Sequence, residues 1–179
     1  MQYVGDRISL LEKENELSIV ILSYKHPVKN FVILAWLILF SICGVMAINE
    51  LIHAKEPDRR VFWMVFTGFW VYFEWMVLKA CLWRLRGKEK VLLTKEALRI
   101  KREITGLESY REYRLDQVEN WKMVIPDVKS ITGSYENAYW FIGAERISFD
   151  YKGKEIRWAC QLNKEDAGLL LGKIKHWIR

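Results

Sequence analysis

The sequence predicts an α+β membrane protein in which a two-helix transmembrane hairpin is joined to an antiparallel β domain that ends in an α-helix. Residues 31–48 contain no charged side chain, and residues 61–83 form a second apolar run. About 20 apolar helical residues span the roughly 30 Å hydrocarbon core of a bilayer. From residue 88 onward the pattern changes to short β-type runs separated by turn residues, and residues 163–179 have helical periodicity.

Residues 1–30 precede the first apolar run and predict a β-hairpin. The stretches 7–11 and 17–24 are rich in Ile, Val, Leu and Tyr, and they flank a polar turn at 12–15. No secretory signal peptide is recognised, because a charged segment precedes the apolar run and a small-residue cleavage site is absent. We therefore expect the first apolar helix to remain in the mature protein.

The membrane hairpin is predicted to occupy residues 31–83, with helices over about 31–52 and 61–83. The connection 53–60 is short, which favours antiparallel neighbours. The two sides of the membrane differ in positive charge, with Lys25, Lys29, Arg84, Arg86, Lys88 and Lys90 on the side of the termini and Lys55, Arg59 and Arg60 in the connection. The positive-inside rule then places both termini in the cytoplasm.

Residues 84–179 predict the cytoplasmic β domain. Strands are expected at 89–94, 98–104, 109–115, 118–125, 138–143, 145–151 and 154–162, with a loop over 127–137. Lys152-Gly153 is the strongest turn signal, because glycine adopts positive φ without strain.

The C-terminal segment predicts an amphipathic helix. Asn163 suits the N-cap, and an apolar face is formed by Ala167, Leu170, Leu171, Ile174 and Ile178. Several strands followed by one helix are typical of pleckstrin-homology-like (PH-like) domains. The N-terminal hairpin either stands apart or adds its strands to this sheet, in which case the membrane helices interrupt one β fold.

Residues 82–103 and 147–174 resemble a group of uncharacterised bacterial membrane proteins that have two transmembrane helices and a PH-like domain. The matching motifs are Gly87-Lys88-Glu89, Phe149-Asp150-Tyr151 and Glu165-Asp166-Ala167. Lys152 before Gly153 departs from the group's tightest turn. The resemblance implies a fold and a location in the bacterial inner membrane, with no activity attached.

No pattern in the sequence predicts catalysis. The three cysteines form no ligand spacing or disulfide framework, and His26, His53 and His176 lie far apart. Nucleophile elbows and glycine-rich phosphate loops are also absent from the sequence. We therefore expect no enzyme activity, no cofactor and no metal.

Glu74 is the most unusual residue of the second apolar run. A charged side chain at bilayer depth costs about 2.5–3.5 kcal/mol on insertion scales. It is expected to pair with a polar group of the first helix, such as Ser41 or Asn49, or to contact a partner subunit or cofactor. Proton chemistry, or a shift of the segment that brings Glu74 to the interface, remains open at this point.

Trp63, Phe66, Trp70 and Phe73 recur at helical spacing and predict one aromatic stripe on the second helix. The stripe either packs against the first helix and lipid or docks another membrane subunit, a quinone or a pigment. Together with Glu74, it forms the predicted intramembrane contact surface.

Residues 84–102 contain eight Lys and Arg against two Glu, an excess equal to the net charge of +6 of the whole chain. Such a cluster beside a membrane helix predicts contact with anionic lipid headgroups, against the simpler interpretation of a solvated sheet face. The candidate contacts are Arg84, Arg86, Lys88, Lys90, Arg99 and Lys101. Nucleic acid is less favoured, because the membrane is the nearer polyanion.

These observations predict a non-enzymatic accessory or scaffolding subunit of a larger membrane protein complex. The alternative is a membrane-anchored PH-like module that senses anionic lipid or another ligand. A transporter or enzyme component is a third hypothesis, which requires a convergent polar pocket around Glu74.

Overall fold

The computed structural model describes residues 2–25, 27–124 and 144–178, and the statements below concern these residues. They form three α-helices and two antiparallel sheets, which confirms the α+β class. The chain divides into two units. One contains residues 25–82, and the other contains residues 2–24 together with the described residues from 83 onward.

The helical unit is built from two long helices. Helix α1 spans Pro27–His53 and α2 begins at Pro57 and continues to Arg86, four residues beyond the unit's end at Leu82. Both helices are longer than predicted, because proline is well suited to the first helical position and the flanking polar residues extend the helical ends. Only residues 54–56 remain outside the helices, instead of the predicted connection 53–60.

The β unit contains a six-stranded antiparallel meander and a separate three-stranded sheet. The strands of the meander are β1 (Gln2–Val4), β2 (Ile8–Lys13), β3 (Glu16–Leu22), β4 (Lys88–Thr94), β5 (Ala97–Glu103) and β6 (Arg111–Arg114). The smaller sheet consists of β7 (Val118–Met123), β8 (Glu145–Tyr151) and β9 (Lys154–Cys160). Strand β1 was not predicted, and the predicted strand 138–143 and loop 127–137 lie outside the described residues.

Strands β3 and β4, which flank the helical hairpin in sequence, are partners in the meander. Glu16 lies opposite Thr94, and Leu22 lies opposite Lys88. The N-terminal strands therefore belong to the same sheet as the strands that follow α2. The two helices are an insertion between adjacent strands of one β fold.

The core of the β unit lies between the inner faces of the two sheets and helix α3 (Lys164–Ile178). Strand alternation buries Leu17, Ile19 and Ile21 of β3, because successive side chains point to opposite faces. Other buried members of this core include Val91, Leu93, Phe149, Trp158, Ala167, Leu170 and Ile174. Ile178, predicted on the apolar face of α3, is exposed because it lies in the last turn.

Two local predictions are confirmed. Lys152 and Gly153 both have positive φ, 51° and 75°, in the turn between β8 and β9. The Asn163 Oδ1 atom accepts a hydrogen bond of 2.6 Å from the Asp166 N–H at the start of α3.

Asn163→Ala removes the acceptor that satisfies the first turn of α3. We expect the free energy of unfolding to fall by about 1 kcal/mol, because the Asp166 N–H loses its hydrogen-bond acceptor. Thermal unfolding of the purified protein measures the change. Asn163→Asp retains an acceptor and should unfold near the parent temperature, so an equal loss in both variants would contradict the capping role.

Candidate functional site

The facing sides of α1 and α2 follow a heptad-like spacing. Half-buried or buried positions on α1 recur at intervals of four and three residues, at Ile33, Leu37, Phe40, Gly44 and Ala47. The corresponding positions on α2 are Trp63, Thr67, Trp70 and Glu74. This period keeps one seam of each helix toward its neighbour, as in coiled-coil packing.

Trp70 holds α1 and α2 together along this seam. Its Nε1–H donates a 2.9 Å hydrogen bond to the Phe40 carbonyl, and its ring lies where a side chain on Gly44 would project. A Cβ atom added to Gly44 would be only 1.9 Å from the Trp70 ring. The missing side chain of Gly44 therefore lets the indole reach the backbone of α1.

Glu74 pairs within the same hairpin. Ser41 Oγ donates to Glu74 Oε1 at 2.6 Å and also lies 2.8 Å from the Leu37 carbonyl oxygen. Of the two predicted partners on α1, Ser41 makes the contact. Glu74 Oε2 is buried and has no hydrogen-bond partner among the described residues.

The predicted aromatic stripe divides into two surfaces. Trp63 and Trp70 are half-buried on the seam, whereas Phe66 and Phe73 are 43% and 45% exposed. Trp70 is therefore engaged within its own hairpin, and Phe66 and Phe73 offer the more accessible surface. The 7-residue spacing of Trp63 and Trp70 lies on the heptad seam, and the phenylalanines lie beside it.

Phe66 and Phe73 belong to an exposed row on α2 that includes two residues outside the predicted stripe. Phe62 and Phe69 are also exposed and complete a spacing of four, three and four residues. Phe62 and Phe66 stack with ring centroids 6.3 Å apart. We call Phe62, Phe66, Phe69 and Phe73 the phenylalanine row.

A buried carboxylate connects the two sheets of the β unit. Glu89 on β4 is fully buried and accepts hydrogen bonds from Arg102 Nε at 3.1 Å and from the Cys160 N–H at 3.0 Å. Arg102 also donates to Glu145 at 2.9 Å. Burial, and then the charge of Glu89, raise the pKa of the Cys160 thiol well above its ordinary value.

The end of α2 is tied to the end of β3. The Gly87 N–H donates to the Trp83 carbonyl at 2.7 Å, and the Gly87 carbonyl accepts from the Ser23 N–H at 3.0 Å. Ser23 Oγ also donates to the Arg84 carbonyl at 3.2 Å. These bonds satisfy carbonyls at a helix end, which otherwise lack intrahelical partners.

Arg84 corrects one prediction of headgroup contact. Its exposed fraction is only 6%, so it is not accessible to a lipid surface. Its position in the last turn of α2, where the chain enters the folded β unit, accounts for this burial. Arg86, two residues later, is exposed.

The remaining predicted headgroup contacts separate into two groups. Lys88, Lys90 and Lys101 converge on Glu103, with Nζ–carboxylate distances of 2.8, 2.8 and 3.3 Å. Hydrogen bonds from Lys88 and Lys90 lower the pKa of Glu103 to about 2. Arg99, in contrast, forms a separate exposed pair with Glu112 at 2.8 Å.

The described part of the chain shows no arrangement of three or more His, Cys, Asp or Glu side chains able to hold a metal ion. A cleft of about 570 Å³ beside Arg102 is lined by Glu89, Glu108, Glu145, Arg111, Arg157, Ile100, Ser109, Tyr113 and Ile156. Among the described residues that line this cleft, each carboxylate bonds to an arginine or to backbone N–H groups.

No protein-family model, curated protein or solved structure matches this chain. The resemblance to bacterial two-helix proteins with a PH-like domain therefore stays an expectation.

Gly44→Ala should destabilise the helical hairpin by about 1–3 kcal/mol, because the added methyl group overlaps the Trp70 ring. Gly68→Ala is the matched control, since no described atom lies within 4 Å of a Cβ at that position. Gly68→Ala should be neutral or stabilising, because alanine is favoured over glycine within helices. Thermal unfolding in mild detergent compares the two variants. Equal shifts in their unfolding temperatures would contradict the packing of Trp70 against Gly44.

Glu89→Ala should lower the free energy of unfolding by about 1–3 kcal/mol, because it leaves the buried Cys160 N–H without its acceptor and removes one of the two carboxylates that pair with the partly exposed Arg102. Peptide-level mass spectrometry after maleimide treatment tests this through Cys160, which is buried in the parent protein. We expect Cys160 to become labelled in Glu89→Ala and to stay protected in Glu112→Ala. Protection in both variants would exclude a connecting role for Glu89.

Proposed function

We propose that this protein is a non-enzymatic, two-span integral membrane protein that acts as an accessory or scaffolding subunit of a larger membrane protein complex. The helical hairpin would anchor it and dock to other membrane subunits. The β unit, which we propose to be a PH-like domain, would cover a partner's cytoplasmic face.

The exposure of the two long helices carries this proposal. Only 22% of the most apolar stretch of α1 and 6% of that of α2 are buried. A core helix of a water-soluble protein would instead be mostly buried. The exposed apolar sides therefore require lipid or protein around them, because water would leave a large apolar surface uncovered.

The polar groups of the hairpin fit this environment. Glu74 and Ser41 face each other, and Trp70 donates to a backbone carbonyl of the neighbouring helix. Near the loop end, Arg59 pairs with Glu50. Polar side chains inside a membrane are expected to satisfy each other in this way.

A subunit role is favoured over a transporter or enzyme role by the same contacts. Trp70 fills the seam between α1 and α2, and Ser41 occupies one oxygen of Glu74, the carboxylate that a proton path would need. The phenylalanine row, in contrast, faces outward and offers an aromatic surface to another helix. We extend the proposal to a bacterial inner membrane, following the resemblance described above, with both termini in the cytoplasm, following the distribution of Lys and Arg.

Membrane extraction and native mass spectrometry test this function. The protein should stay in the membrane pellet after an alkaline carbonate wash, because its helices are embedded. After detergent extraction, native mass spectrometry should detect a stoichiometric protein partner. A protein released by carbonate, or a clean monomer from native membranes, would contradict the proposal.

Paired alanine variants locate the docking surface. Phe66→Ala with Phe73→Ala should weaken partner association by about tenfold or more, as expected for truncated aromatic anchors. Ile42→Ala with Val45→Ala is the control on exposed positions of α1. Equal retention of the partner in both double variants would exclude the phenylalanine row as the docking surface.

A further inference from the structure

One end of the meander combines a lysine cluster with an exposed loop. In this end row, Leu22 of β3 is the register partner of Lys88 of β4, which in turn is the partner of Glu103 of β5. Leu22 is where the chain leaves the sheet toward α1, and Lys88 is where it returns from α2. The loop 104–110, which follows Glu103, therefore projects from the end of the sheet that leads to both long helices.

The lysine cluster at this end has more positive charge than its carboxylate neutralises. Among the described residues, Lys88, Lys90 and Lys101 share Glu103 as their ion-pair partner. Three ammonium groups around one carboxylate leave an excess of two positive charges. Glu103, whose pKa is about 2, stays ionised at neutral pH and holds the lysines together.

The adjacent loop is ordered by its own backbone contacts. The Glu108 carboxylate accepts hydrogen bonds from the N–H groups of Ile104, Thr105 and Gly106 at 3.1, 2.9 and 3.0 Å. Lys101 Nζ donates to the Gly106 carbonyl at 3.2 Å, which links the loop to the lysine cluster.

This ordered loop presents an apolar side chain to its surroundings. Leu107 is 92% exposed, and Tyr110 is also exposed, with its ring 5.7 Å from Lys101 Nζ. Nothing in the described fold covers Leu107. An exposed leucine next to a tyrosine and basic side chains has the composition of a segment that lies in a membrane interface.

We propose that this end of the sheet binds the bilayer surface, with the more exposed Lys88 and Lys90 on the phosphate of an anionic lipid and Leu107 at the acyl boundary. Lys101, whose side chain is largely buried, adds its charge to the cluster and holds the loop against it. The inference rests on the membrane anchorage proposed above and names the surface through which the β unit contacts lipid. Lipid is favoured over a soluble phosphate compound, because a soluble phosphate compound would leave the leucine beside the cluster in water. Of the other predicted contacts, Arg84 is buried, and Arg99 lies farther along β5 from the end row, where it pairs with Glu112.

A fluorescent probe at Leu107 tests the inference in the full chain. Leu107→Cys in a Cys43→Ala background carries an environment-sensitive nitrobenzoxadiazole label, and the buried Cys81 and Cys160 stay unlabelled. The protein is placed in nanodiscs of phosphatidylcholine alone or mixed with phosphatidylglycerol. We expect blue-shifted, lipid-quenched emission that requires phosphatidylglycerol and weakens with added salt.

Charge variants separate lipid binding from a structural role of the cluster. Replacing Lys88, Lys90 and Lys101 together with glutamine should lower the apparent affinity for anionic nanodiscs about tenfold or more. Glu103→Gln should strengthen binding, because the charge excess rises from two to three. Arg99→Gln is the matched control and should change little. Weaker binding in Glu103→Gln, equal to that of the lysine variant, would indicate a structural cluster and overturn the proposal.

The outcomes also separate this inference from the proposed function. Failure of the chain to remain in any nanodisc would refute the membrane anchorage itself. Stable incorporation with the same Leu107 emission in both lipid mixtures would refute only the interfacial site. Inorganic phosphate should release the probe no more than chloride at matched ionic strength, and selective release by phosphate would overturn lipid as the ligand.

Discussion

The β unit depends on one buried carboxylate. Glu89 lies three residues after the end of α2, on the strand that pairs with β3, and its two oxygens accept from Arg102 of the meander and from the Cys160 N–H of the second sheet. A buried charge is stable only when such partners replace water. The strand that follows the helical insertion in sequence therefore also carries the residue that connects the two sheets.

The helical unit is held together by a different means. Gly44 provides space, and the Trp70 indole uses that space to reach a carbonyl of α1. Close approach through small residues and hydrogen bonds between side chain and backbone stabilise helix pairs where the hydrophobic effect between helices is weak. These few contacts leave most of the apolar surface outward, and this exposure is why we propose an anchoring and docking role for the hairpin.

The sequence predicts features that depend on local chemistry, and it is less informative about contacts between distant residues. The apolar runs, the turn at Lys152-Gly153 and the cap at Asn163 are local. The pairing of the two helices determines which face of α2 is covered by α1. For this reason the predicted aromatic stripe divides between the seam and the exposed phenylalanine row. The basic cluster in the sequence spans residues 84–102, and Glu103, the carboxylate that three of its lysines share, lies one residue beyond. The burial of Arg84 depends on tertiary packing that no local pattern records.

The sidedness of the chain tests the central claim that α1 and α2 cross a bilayer as an insertion in a cytoplasmic β fold. Single cysteines replace Lys55, between the helices, and Lys95, between β4 and β5, in the Cys43→Ala background. A membrane-impermeant maleimide is applied to intact cells and to permeabilised cells. We predict labelling at position 55 in both samples and at position 95 only after permeabilisation. Labelling of both positions from the same side would show that the helices do not span the membrane.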